Sequence, residues 1–234
     1  MLHIFTACAP VYVANNVNTP QFSEGGEIIV GGNYGTNGAE IQLAAAVTDH
    51  IALMGNGSFA SRSEDDEIHK HNFLEAGLGW FTSFRESGRF DLFAGYGGGN
   101  AEYKGNGAHI FSSGNLVKIS GDYDRIFFQT SIGAVYKGKR ERKPDITFGL
   151  AIRYTIVRFE NFFNSEDIHL TAENTFIEPV FFASIGKKML HLKTQIGFVR
   201  PLKYVENRPF DYDRMWTSVG LYLRFGGKNS TDKY

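Results

Sequence analysis

Two acidic motifs, Asp122-Tyr123-Asp124 and Asp211-Tyr212-Asp213, are the strongest material for catalysis in the chain. Two carboxylates held close together can divide general-acid and general-base duties on a water molecule. No histidine follows either motif at a spacing that completes such a site, and aspartate is common wherever a loop enters a strand. His69 and His71 flank Lys70 and share one face of an extended segment, a pair of metal ligands without a third. The run Ser63-Glu64-Asp65-Asp66-Glu67 is acidic but lacks the glycine and ligand spacing of a calcium loop. Gly95-Tyr96-Gly97-Gly98-Gly99 is followed by no Gly-Lys-Ser/Thr and opens no helix, so it is not a phosphate cradle. The expectation is therefore no catalytic residue, no metal and no cofactor.

The elements that carry these residues announce themselves by period-two alternation. Ile146, Phe148, Leu150, Ile152, Tyr154 and Ile156 share one face, opposed by Thr147, Gly149, Ala151, Arg153 and Thr155. Val219, Leu221, Leu223 and Phe225 stand in the same way against Ser218, Gly220, Tyr222 and Arg224. No stretch sustains the three-and-four spacing of an amphipathic helix. About ten such strands follow along the chain, near 26–35, 39–48, 51–61, 71–84, 88–103, 124–137, 145–160, 175–186, 190–200 and 214–226, with Pro179 interrupting one ladder. Connections alternate between compact ones, such as Arg85 to Gly88 and Lys137 to Lys143, and longer ones: Ser61 to Lys70, Tyr103 to Tyr123, Glu160 to Thr175 and Arg200 to Asp213. All short connections therefore fall at one end of an up-and-down sheet, and all but one of the opposite set are long.

Composition removes other classes. The 234 residues carry 24 Lys+Arg against 25 Asp+Glu, a balance that argues against a protein built to grip nucleic acid with a strongly basic face. Mean hydropathy is -0.23, and no apolar run approaches the ~20 residues of a spanning helix. A single Cys excludes an intrachain disulfide framework. The 27 Gly, 21 Phe and 11 Tyr, with only 6 Pro, suit closely packed strands. Glu40, Gln42, Glu75, Asp91, Gln129, Arg153, Lys193, Gln195 and Arg224 all fall on one strand face, interspersed with glycines that suit a narrow lumen.

Residues Phe5-Thr6-Ala7-Cys8 resemble the end of a bacterial lipoprotein signal, in which small residues precede a cysteine that becomes acylated. Only seven residues precede Cys8, so the stretch reads as a truncated signal. With the Asn-rich residues 9–24 as a tether, Gly25-Gly26-Glu27 opening the first strand and a closing Gly220-Leu-Tyr-Leu-Arg-Phe225, the chain resembles the small outer-membrane β-barrel proteins of Gram-negative bacteria. The resemblance implies an all-β fold: one transmembrane, up-and-down antiparallel barrel of about ten strands over 25–227, preceded by 1–24 and followed by a polar tail, 228–234. A family of ten-stranded outer-membrane proteases places acidic residues and a His at the barrel mouth, which is the hydrolase reading of the Asp motifs.

The leading expectation is a non-enzymatic barrel in the cell outer membrane, in contact with its lipids, whose external loops bind a partner or stabilise an envelope assembly. A narrow porin-like channel, an outer-membrane hydrolase and a soluble lipocalin-like carrier are the alternatives. Inside, Arg153, Lys193 and Arg224 are expected to pair with Glu40, Glu75, Asp91 and Glu178 and to plug the lumen, because an unpaired charge in a confined space is costly. Outside, loop aromatics Tyr103, Phe111, Phe162, Phe163, Tyr204, Phe210 and Tyr212 are expected to supply contact energy to a partner protein. Both termini are expected on the short-turn, periplasmic side, with Cys8 acylated in the leaflet there.

Overall fold

The computed structural model describes residues 12–64, 67–106, 116–138, 143–164, 168–202 and 212–227. Ten antiparallel strands close on themselves: β1 (Ile28–Gly35), β2 (Gly38–Ala46), β3 (Ile51–Glu64), β4 (Glu67–Phe84), β5 (Gly88–Asn106), β6 (Leu116–Tyr136), β7 (Asp145–Asn164), β8 (Ile168–Lys187), β9 (Leu190–Phe198, resuming as Arg200–Pro201) and β10 (Met215–Phe225). Each strand pairs with its sequence neighbour, and β1 seals the barrel against β10 from Ile28↔Phe225 to Gly35↔Ser218. Pro179 has no N–H to give β9, so the β8–β9 ladder lapses there and resumes in the same register at Ile177↔Arg200. On its other side Pro179 stays paired with Ile152.

Periodicity alone does not say which face of a strand is inside, and burial decides it. Leu74, Leu78 and Trp80 of β4, Ile126, Phe128 and Ile132 of β6, and Val219, Leu221 and Leu223 of β10 all face outward and are exposed. Glu40, Gln42, Asp91, Gln129, Arg153 and Gln195 face inward and are buried. A soluble carrier would have the reverse arrangement. An apolar outer belt over a polar interior is the pattern of a barrel solvated by lipid.

The strands are unequal. β1, β2 and β9 run 8 or 9 residues, whereas β4 to β8 run 18 to 21. Even at a tilt of ~35–45°, the 21 residues of β6 rise about 50 Å, roughly twice the ~25 Å apolar belt. The five long strands therefore stand beyond the belt as a curved palisade. The segments expected to be long loops, Ser61–Lys70, Tyr103–Tyr123 and Glu160–Thr175, are in large part strand. The reason is a change of solvent. Above the belt the outward residues turn polar (Asn72, Lys70; Asn100, Lys104; Asp122; Arg158, Glu160; Glu173), so the hydropathy signal of a lipid-facing strand ends while the hydrogen-bonded ladder continues.

Inward glycines sit under inward aromatics. A Cβ on Gly97 would strike the Phe73 ring, one on Gly95 the Phe127 ring, and one on Gly149 the Phe182 ring. The abundance of both residue types is thus a single packing device, a flat ring lying across a neighbouring strand that has no side chain.

The core is the lumen itself, and it is filled by the chain's own N-terminal part. Every residue from Tyr12 to Phe22 is buried. The segment expected to hang as a tether instead threads the barrel as a strap. It starts at the long-connection rim, where Tyr12 bridges Tyr212 just ahead of β10. It passes the level of Glu75 and Glu40 at Asn15 and Asn16, reaches Asp91 at Gln21, and leaves at the short-turn rim, where Gly25 N donates to Asp49 in the β2–β3 turn. Gly26, at φ 84°, reverses the chain into β1.

Candidate functional site

The lumen side chains read the strap's backbone almost residue by residue. Asn37 Nδ2 donates to Ala14 O at 2.7 Å, Asn16 N donates to both Glu40 oxygens at 2.8 and 3.0 Å, and Gln42 Nε2 donates to Asn16 O. Gln195 imitates a neighbouring strand, accepting from Val17 N at 3.2 Å and donating to Val17 O at 2.7 Å. Gln129 donates to Asn18 O, Lys193 to Thr19 O and Arg224 to Pro20 O, while Gln21 N donates to Asp91. An extended chain inside a barrel has no ladder partner, so its peptide groups would be buried and unpaired unless wall side chains met them. The polar inner face is matched to that need.

The structure places the seven residues expected inside on the inner face, with Arg153 beside Glu75 as expected, but the other pairings differ. Glu75 is the hub: Arg125 pairs with it directly, Arg153 lies 3.3 Å away, and Asn56 and Asn15 donate to it. Glu178 accepts from the Tyr12 hydroxyl at 2.7 Å. Glu40 and Asp91 take strap amides in place of cations. Arg224 pairs at 2.8 Å with Glu27, read from the sequence only as part of the opening of the first strand. Lys193 has no carboxylate partner among the described residues; its Nζ bonds Thr19 O and lies over the Phe182 and Tyr222 rings. The expected ion pairs of Lys193 with wall carboxylates are therefore replaced by strap contacts, because the strap occupies the space through which they would have met.

Arg125, fully buried with its guanidinium over the Phe73 ring, was missed although it sits on the same inward phase as Phe127 and Gln129. It lies one residue inside the expected strand start, where apolar alternation fades. His71, weighed from the sequence as half of an incomplete metal pair with His69, is an inward residue of β4, bonded to the Tyr123 hydroxyl and stacked on Phe73 and Tyr123. Rings of Tyr12, Phe73, Tyr123, Phe159, Phe176 and Tyr212 close the lumen at this level.

The acidic motif Asp122-Tyr123-Asp124 is split by the strand pleat. Both aspartates point outward from β6 and only Tyr123 points in, so no carboxylate pair faces a cleft there. Asp211 lies outside the described residues. Among the expected loop aromatics, Tyr103 is a correction: it is 8 % exposed on the inner face of β5, because the strand extends through it. Tyr212 packs against Phe176 at the mouth. Phe111, Tyr204 and Phe210 lie outside the described residues, as do the side chains of Phe162 and Phe163 on β7 and, at the N-terminus, Cys8.

No family model matches the chain and no curated protein matches its sequence. Among solved structures it is similar to the translocator domain of the autotransporter NalP from Neisseria meningitidis, with a TM-score of 0.51 at 10% identity over 85% of this chain and 86% of that one. The copper transporter OprC overlaps at a TM-score of 0.25 and 12% identity, over 88% of this chain and 43% of its own. The first likeness bears on the fold alone, a closed antiparallel barrel of the outer-membrane kind.

Proposed function

We propose that this is a non-enzymatic barrel of the bacterial outer membrane that does not conduct, and that presents the outer end of its strap, together with the β4–β8 palisade, to a partner outside the cell. The observation that carries the reading is the direction of the strap. With short turns on the periplasmic side, as in barrels of this kind, Tyr12, against Tyr212, stands at the external rim. NalP's barrel is by name a translocator domain, and a segment running this way through a barrel is consistent with delivery of N-terminal sequence to the exterior.

The reading moves the lipid anchor proposed at Cys8. Four residues of extended chain reach at most ~14 Å, which is too short to return from Tyr12 across the ~25 Å belt. An acyl group on Cys8 then belongs to the outer leaflet. Phe111, Phe162, Phe163, Tyr204, Phe210 and Tyr212 remain the contact residues proposed for the partner, as aromatics carry much of the energy of such interfaces.

The test uses intact cells. A peptide tag inserted directly before Tyr12 should be recognised without permeabilisation, while Gly138→Cys in the β6–β7 turn should resist an impermeant thiol reagent. A tag recognised only after permeabilisation sinks the reading, as do large single-channel steps from the purified protein in planar bilayers. Mass spectrometry of the mature N-terminus decides whether Cys8 carries the lipid.

A further inference from the structure

We infer that the short-turn end of the lumen holds a binding site for a small soluble oxyanion, a phosphate or carboxylate compound admitted from the compartment on that side. A cavity of about 360 Å³ opens there between strap residues 18–21 and the lower inner face of β6 to β10. That volume lies within the range of small-molecule sites. It is set off from the lipid by the wall, whose outward residues at this level are Ile185, Leu192 and Leu221.

The charges lining the cavity are unequally committed. Glu27 is engaged by Arg224 and by the backbone amides of Ser23 and Glu24, and Asp145 accepts from Gly138 N at 2.8 Å. Lys193, in contrast, is 7 % exposed and has one acceptor among the described residues, Thr19 O at 3.2 Å. An ammonium group carries three donors, and the rings at 4.9 and 5.6 Å stabilise its charge without neutralising it. The buried hydroxyl of Thr19, a residue of the same cavity wall, has no hydrogen-bond partner among the described residues. A buried cation lacking a carboxylate and an unpartnered hydroxyl, on two residues that line one cavity, are the kind of donor set an oxyanion satisfies. Lys137 and Lys188, exposed at the cavity mouth, add attraction from solution.

The experiment is calorimetric titration of the full-length protein, folded in detergent micelles at low ionic strength, with inorganic phosphate and separately with succinate. Saturable one-to-one binding of at least one probe is expected, and which of the two binds tells phosphate from carboxylate chemistry. Lys193→Gln should weaken it at least tenfold. Glu24→Gln, which removes a negative charge from the lining, should tighten it several-fold. Lys187→Gln, on the outward face of β8, should leave it unchanged. Heat-modifiable gel mobility identifies any variant that fails to fold, and if Lys193→Gln is one of these, Glu24→Gln decides. Absence of saturable binding by either probe, or affinity unmoved in the folded variants, overturns the site. Neither result depends on which side of the membrane the strap emerges.

Discussion

Strand β6 passes through two different molecules' worth of environment. In the belt it shows Ile132, Phe128 and Ile126 to the outside and Ser131, Gln129 and Arg125 to the inside. One turn of the pleat higher it shows Asp124 and Asp122 to the outside and Tyr123 to the inside. β7 changes in the same way, from Ile152 and Tyr154 outside with Arg153 inside, to Arg158 and Glu160 outside with Val157 and Phe159 inside. The hydropathy phase inverts along a continuous strand while the hydrogen-bond ladder runs on. Lipid outside demands apolar residues outward and lets the interior carry charge, provided that charge is hydrogen-bonded; water outside reverses both preferences. The belt and the palisade are thus one sheet solving two solvation problems.

The largest test of this contrast is the charge hub inside the belt. Glu75→Ala strands Arg125 and Arg153 in the lumen, and should cost about 3–5 kcal/mol, the usual loss when one partner of a buried ion pair is removed. Urea unfolding followed by heat-modifiable mobility reads it; a loss below ~1 kcal/mol would mean that water reaches the hub. Next comes the outer face. Leu78→Arg, mid-belt on β4, should cost about 2–4 kcal/mol, whereas Asn100→Arg, on the outward face of the palisade, should stay within about 0.5 kcal/mol. Equal effects at both positions would show that the belt ends elsewhere.

A smaller effect is expected where strap meets wall. Gln195→Leu leaves Val17 N–H and C=O without partners and should cost about 1–3 kcal/mol, seen as strap proteolysis at lower denaturant than the barrel's own unfolding. Smallest of all is Arg158→Ala. Its partner Glu173 lies 3.1 Å away, but both are about half exposed above the belt, so no resolvable shift in unfolding midpoint is expected. A clear loss there would place this pair in a less watery setting than the palisade assignment allows.

Much of the barrel was legible because lipid-facing strands write their period into the sequence. Ile146 to Ile156 and Val219 to Phe225 located β7 and β10, and the polar residues opposite them located the lumen. The palisade reads as loop in the sequence because Asn72, Asn100, Asp122 and Glu160 end the apolar signal, although their inward neighbours His71, Ala101, Tyr123 and Phe159 keep the alternation in reversed phase. That reversal was the available clue. It also carried Tyr103 into the expected loop set and hid Arg125 at a strand boundary.

The amino-acid order by itself determined the strand class, the even up-and-down connectivity and which residues share a face, since these follow from local period and turn chemistry. It also fixed that Glu40, Glu75, Asp91, Glu178, Arg153, Lys193 and Arg224 belong to one side of the sheet. Only the closed tertiary structure decided what those charges meet. Residues 12–24 have no periodicity, because a strap paired by side chains from many strands obeys no repeat of its own. Its place in the lumen, its direction, and the partners of Glu40, Asp91 and Lys193 come from contacts up to 204 positions apart along the chain, as between Pro20 and Arg224, and no local pattern encodes them.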